Sequence, residues 1–229
     1  MAAPVIAFPV TAAAISLVFG VHLLARFAAA PGRRPHEAAW SAAMLLYAGA
    51  SAALALGVLG PFSPIEFRLY WLLGAVLSVP YLALGEAYLL VRDRRIAHAV
   101  AAVVVVASAW AAWVVLAAAV DPAALAHRFP LGREVFGDGT LSHRLAQLYS
   151  YPAYVYLVAG ALVSARRMRG RPELRNRFQG TLLIAVGATL AAVGSGIGAG
   201  FGNFAVFSAG IASGAAVLYW CFLTATRPA

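Results

Sequence analysis

Apolar runs of 19 to 25 residues alternate along this chain with short polar breaks, at about residues 4–27, 38–60, 67–91, 98–120, 147–165, 178–199 and 203–224. About 20 apolar residues span the hydrocarbon core of a bilayer as a helix, and inside it only a helix or a closed barrel satisfies its own backbone hydrogen bonds. The pattern predicts an all-α, polytopic membrane protein, a single domain built as a seven-transmembrane-helix bundle. The breaks fall at Pro31-Gly32-Arg33-Arg34-Pro35, at Pro61 and Pro64, at Arg92-Asp93-Arg94-Arg95, at Asp121-Pro122 and at the cluster from Arg166 to Arg177. The first run has no basic segment before it and continues to about Phe27, so it is read as a span and not as a cleaved signal.

Composition removes the soluble alternative. Hydrophobic residues make up 63% of the 229 and charged ones 11%, with a mean hydropathy of +0.84, against roughly half and a quarter in a soluble domain. Seven spans consume roughly 140 residues, which leaves no room for a separate soluble domain. All seventeen basic residues are arginine. Without lysine there is no Schiff-base chemistry of the retinal kind. Cys221 is the only cysteine, so no disulfide framework or thiolate cluster is expected.

Charge distribution sets the orientation. Arg26, Arg33 and Arg34, then Arg92, Arg94 and Arg95, then Arg166, Arg167, Arg169, Arg171, Arg175 and Arg177, with Arg227, put thirteen arginines on one face; Arg68, Arg128, Arg133 and Arg144 put four on the other. The positive-inside rule then predicts the N-terminus outside and the C-terminus cytoplasmic, in an inner or plasma membrane. The Arg-rich face is expected to meet anionic lipid headgroups, each arginine near the surface contributing about 1 kcal/mol. Clusters placed between apolar runs argue against nucleic acid as the partner.

The third span is the most polar. Arg68, Trp71, Ala75, Ser78, Leu82 and Glu86 fall on one helical stripe, with Tyr70, Gly74, Leu77, Tyr81, Gly85 and Tyr88 beside it. An ionisable residue at the depth of Glu86 is costly and marks a functional candidate. His22 lies at similar depth, and a Glu86–His22 pair would serve as a proton relay, a pH sensor or the polar floor of a pocket. Tyr149, Tyr151, Tyr154 and Tyr156 surround Pro152 at the outer interface, either as an aromatic belt or as the lining of an outer pocket, with Pro152 and Pro80 freeing carbonyls for a ligand. The ligand-binding candidates are therefore His22, Arg68, Trp71, Ser78, Tyr81, Glu86, Tyr151 and Tyr154.

Gly194, Gly198 and Gly202, followed by Gly210 and Gly214, form a small-residue repeat at four-residue spacing, which predicts close packing of the last two helices. In the outer loop, Phe136-Gly137-Asp138-Gly139-Thr140 reads as a turn, with Ser142 as a helix cap. His127, Glu134, Asp138 and His143 share that loop without a metal-site spacing, and His22 and His98 do not make a haem ligand set. No metal, no cofactor and no catalytic constellation is expected.

Arg33-Arg34-Pro35-His36-Glu37-Ala38-Ala39-Trp40, then Phe67-Arg68-Leu69-Tyr70-Trp71 and Val79-Pro80-Tyr81, resemble small uncharacterised seven-helix membrane proteins of actinobacterial type, and are loosely similar to the seven-helix sensor region that precedes some bacterial histidine kinases. The resemblance implies a receptor-like or accessory sensor module, not an enzyme, that binds a small or lipidic ligand. Such a sensor region continues into a cytoplasmic transmitter; none follows in this sequence, so a separate cytoplasmic signalling partner is expected. The second expectation is a small transporter or channel with proton or ion coupling at Glu86 and His22.

Overall fold

The structure, a computed structural model, describes residues 3–30, 34–127 and 129–225. Arg33, Arg128 and Arg227 of the charge count, and the Pro31-Gly32 break, lie outside the described residues. Among the described residues, seven helices are long and apolar enough to cross a membrane: Ala3–Ala29, Pro35–Leu59, Pro64–Leu90, Arg94–Ala117, Leu141–Met168, Arg175–Gly200 and Phe204–Ala225, here the first to seventh spans. No strand occurs among the described residues. The chain is an integral membrane protein of helical-bundle class.

The helix ends follow from local chemistry. Ser63 and Glu66 form a reciprocal capping box ahead of the third span, with Pro64 at its first turn. Asp93 caps the fourth through a 2.8 Å bond from the Arg95 amide. The fifth span starts at Leu141, several residues before its apolar run, because the Thr140 hydroxyl accepts from the His143 amide at 3.4 Å. Thr140, not Ser142, is thus the cap, and Ser142 is buried in the first turn of the helix. Gly137 and Gly139 supply the positive φ, 85° and 74°, that the turn before this cap demands.

Six of the spans close a ring. The first packs on the second, the second on the third, the third on the fifth, the fifth on the sixth, the sixth on the seventh and the seventh back on the first. The fourth lies outside this ring against the third and fifth, leaving Val103, Val106, Trp110 and Trp113 exposed to the surrounding medium. The loop end of the ring is plugged: Leu54, Phe67, Val76, Phe136, Phe207 and Ile211 form one buried cluster across it. Tyr47 also crosses the interior, donating its hydroxyl to the Ile211 carbonyl at 3.0 Å.

A π-helical stretch, Tyr70–Leu77, interrupts the third span just before Pro80. Proline has no N–H, so in π register the carbonyl five residues earlier, that of Ala75, gets no partner from its own helix. The Ser150 hydroxyl of the fifth span donates to it at 2.6 Å, and Ser78 donates to Gly74 at 2.7 Å. The carbonyl loosened by Pro80 is bound by protein, which stitches the third span to the fifth.

The sixth and seventh spans approach backbone to backbone. A Cβ added at Gly194 would lie 2.4 Å from Gly210 Cα, one at Gly198 2.4 Å from the Phe207 amide, and one at Gly214 2.9 Å from the Gly187 carbonyl. Gly202 takes no part in this packing: it follows the helix end at φ 61° with open space around it, and serves the turn into the seventh span. Gly187, outside the four-residue repeat, does take part: a Cβ there would lie 3.1 Å from the Gly214 carbonyl.

Candidate functional site

The ring is open at the end opposite the plug. There a cleft of about 1050 Å³ enters between the spans, walled by Phe19, Leu82, Leu157, Ile184, Leu218 and Phe222. Its rim carries Arg26, Arg34, Arg167 and Arg177, and three carboxylates, Glu37, Glu86 and the exposed Glu173, line it. The size and character, apolar walls with a few convergent polar groups, are those of a ligand site.

Glu37 organises the rim. Its Oε1 accepts from Arg26 Nε at 3.1 Å and Arg34 Nη1 at 3.3 Å, while its Oε2 is buried without a partner. Glu37 is only 3% exposed, whereas the two guanidiniums reach solvent. Arg26 is held a second time, with its Cζ 5.1 Å from the centroid of the Phe222 ring. Arg167 and Arg177 make no ion pair among the described residues.

Glu86 is as deeply buried, at 2% exposed. Glycine on the facing helix makes room for it: a Cβ at Gly160 would meet Glu86 Cγ at 2.9 Å and Leu90 Cδ1 at 2.7 Å. The Ser164 hydroxyl, one turn further along the fifth span, faces the carboxylate. One turn up the wall, Trp40 packs against Gly85, where a Cβ would clash with the indole, and donates its Nε1 to the Leu82 carbonyl at 3.1 Å.

Of the eight ligand candidates read from sequence, Glu86 alone lines this cleft. His22 and Glu86 are not brought together: no hydrogen bond or ion pair joins them among the described residues, and His22 packs edge-on against Phe222 with ring centroids 5.1 Å apart. Equal depth placed them level, but the direction in which each helix face points separates them. The effects of His22→Ala and Glu86→Gln on thermal stability are therefore expected to add within about 0.5 kcal/mol; a larger coupling energy in a double-mutant cycle would restore the pair.

The others hold the molecule together at the plugged end or between helices. Arg68 Nη2 donates to the Ala118 carbonyl at 2.6 Å, and Trp71 Nε1 to the Ser142 carbonyl at 3.0 Å. Ser78 bonds within its own helix, Tyr81 packs beside the cluster of Phe19, Leu23 and Met44, and the Tyr154 hydroxyl meets Thr189 Oγ1 at 2.9 Å. Tyr151 is 65% exposed, as an interfacial anchor would be. In the loop, His127 lies 3.6 Å from Glu134 and His143 3.4 Å from Asp138, and no three His, Cys, Asp or Glu of the described residues converge as a metal site.

The residues that sequence reasoning missed are Glu37, Arg34, Ser164, Arg167 and Arg177. A signal existed for one pair, since Arg34 and Glu37 are three residues apart at a helix start. For the rest, only the closing of the ring brings them together. Compared with protein-family models, with curated proteins and with solved structures, the chain matches none.

Proposed function

We propose that this protein is a receptor-like or accessory module of an inner or plasma membrane that takes an anionic amphiphile into the cleft from the Arg-rich side. The orientation proposed is N-terminus outside and Arg-rich face cytoplasmic, from the arginine asymmetry. The observation that carries the reading is the cleft itself: apolar walls for acyl or ring carbons, with two arginines at the mouth, Arg167 and Arg177, that make no ion pair with a described carboxylate, although Glu173 shares the lining. A bound molecule that draws these arginines inward shifts the ends of the fifth and sixth spans, where a cytoplasmic signalling partner would sense it. This reading involves no catalysis, and it fits the resemblance to sensor regions.

A transporter is the second reading, favoured by the buried intramembrane carboxylate Glu86. The aromatic plug speaks for one-sided access, which suits a receptor and obliges a transporter to rearrange.

The test is ligand-dependent stabilisation of the purified protein. At an anionic amphiphile concentration of about 100 times Kd, linkage predicts about 2.7 kcal/mol of added stability. Arg167→Ala with Arg177→Ala is expected to remove most of that gain while leaving the unliganded protein as stable as before, because neither guanidinium is ion-paired. Stabilisation that survives the double substitution would refute the cleft as the site. Flux in proteoliposomes that Glu86→Gln abolishes would establish the transporter instead.

A further inference from the structure

The cleft holds more than cations, and its carboxylates have spare acceptor capacity. Glu37 Oε2 is buried and unpartnered in a side chain that lines the cleft. Glu86, equally buried, makes no ion pair with any described cation; the Ser164 hydroxyl faces it, and Tyr156 and Cys221 lie near it. A purely anionic ligand satisfies the rim and leaves both carboxylates facing its own negative charge. A ligand that brings N–H donors satisfies both sets.

The depths fit one molecule. Gly160 is level with Glu86, and Arg167 follows it by seven residues on the same helix, about 10 Å closer to the mouth at 1.5 Å per residue. Shortened by an arginine side chain reaching back into the cleft, that interval matches a phosphate and an amine a few bonds apart. Resting on the cleft as the ligand site, we propose that it recognises the phosphate-plus-primary-amine chemistry of a phosphoethanolamine headgroup, with the phosphate at Arg167 and Arg177 and the ammonium on Glu86, flanked by Glu37 Oε2. If the source is a lipid, the carbons that follow the phosphate turn back from the mouth and lie beside the headgroup along the walls of Phe19, Leu157, Leu218 and Phe222.

The experiment is a titration of the whole protein in neutral detergent with four probes: lysophosphatidylethanolamine, lysophosphatidylglycerol, lysophosphatidylcholine and free phosphoethanolamine. Binding is followed by tryptophan fluorescence, since Trp40 lines the cleft, and by thermal stabilisation. A charged hydrogen bond to a buried carboxylate is expected to make the ethanolamine lipid bind about tenfold tighter than both other lipids. Glu86→Gln is expected to erase that preference by weakening the ethanolamine lipid about tenfold, while the glycerol lipid binds no more weakly than before. Free phosphoethanolamine matching the lipid would assign the site to a soluble headgroup; a large lipid advantage would assign it to the membrane. Equal affinity for all three lipids in the unmodified protein overturns the headgroup assignment but keeps the cleft, and it needs no variant to fold. No binding of any probe overturns the cleft reading and this one with it.

Discussion

Gly194→Leu is expected to be among the most damaging single changes in the protein. The added Cβ would sit 2.4 Å from Gly210 Cα and the rest of the side chain would have to enter the seventh helix. The atom opposite is backbone, so no rotamer change relieves the clash and the two helices must separate. Overpacking costs about 1–3 kcal/mol where side chains can yield, and the upper part of that range or beyond is expected here. At about 2–4 °C per kcal/mol for a chain of this length, the midpoint of thermal unfolding in detergent should fall by roughly 5–10 °C. Gly196→Leu is the control, since nothing lies within 4 Å of that position. If both variants melt together, the close approach of the last two spans is not what holds this end of the ring.

Trp71→Ala should cost about 3–5 kcal/mol, the range for deleting a large aromatic from a packed site. The indole stacks near Phe67 and Phe136, donates to the Ser142 carbonyl, and covers Gly132 so closely that a Cβ there would collide with it. Its removal opens a void beneath the outer loop and deletes the hydrogen bond that ties the third span to the start of the fifth. The prediction separates two roles for a residue that sequence alone made a ligand candidate. A structural Trp71 lowers the melting midpoint and leaves amphiphile affinity unchanged at temperatures where the variant is folded. A ligand-binding Trp71 would show the reverse, weaker binding at nearly full stability.

The candidate site was only partly legible in the chain. Glu86 stood out because a carboxylate in an apolar run is costly wherever the run packs, and it does line the cleft. His22 stood out for the same reason and packs elsewhere, because depth along a helix follows from residue count while azimuth depends on how neighbouring helices dock. Arg68 and Trp71 share a stripe with Glu86, yet they lie 18 and 15 residues toward the other end of the span and fasten the loop. Glu37 drew no notice as an ionisable group, since it sits at a helix start where charge is ordinary, and only its burial beside Arg26 makes it part of a rim.

Hydrocarbon as solvent explains the division. The count of spans, the helical class and the two-sided arginine distribution follow from sequence, because each apolar run must satisfy its own backbone and each guanidinium must reach water, run by run, without reference to any other part of the chain. Lipid tails are as apolar as the side chains, so hydrophobicity does not choose which helix faces which. That choice rests on shape and a few hydrogen bonds: the glycine contact of the last two spans, Ser150 on the carbonyl loosened by Pro80, Tyr47 across to Ile211. Those contacts close six spans into a ring, leave the fourth outside, plug one end and open the cleft at the other, and only the tertiary structure decides them.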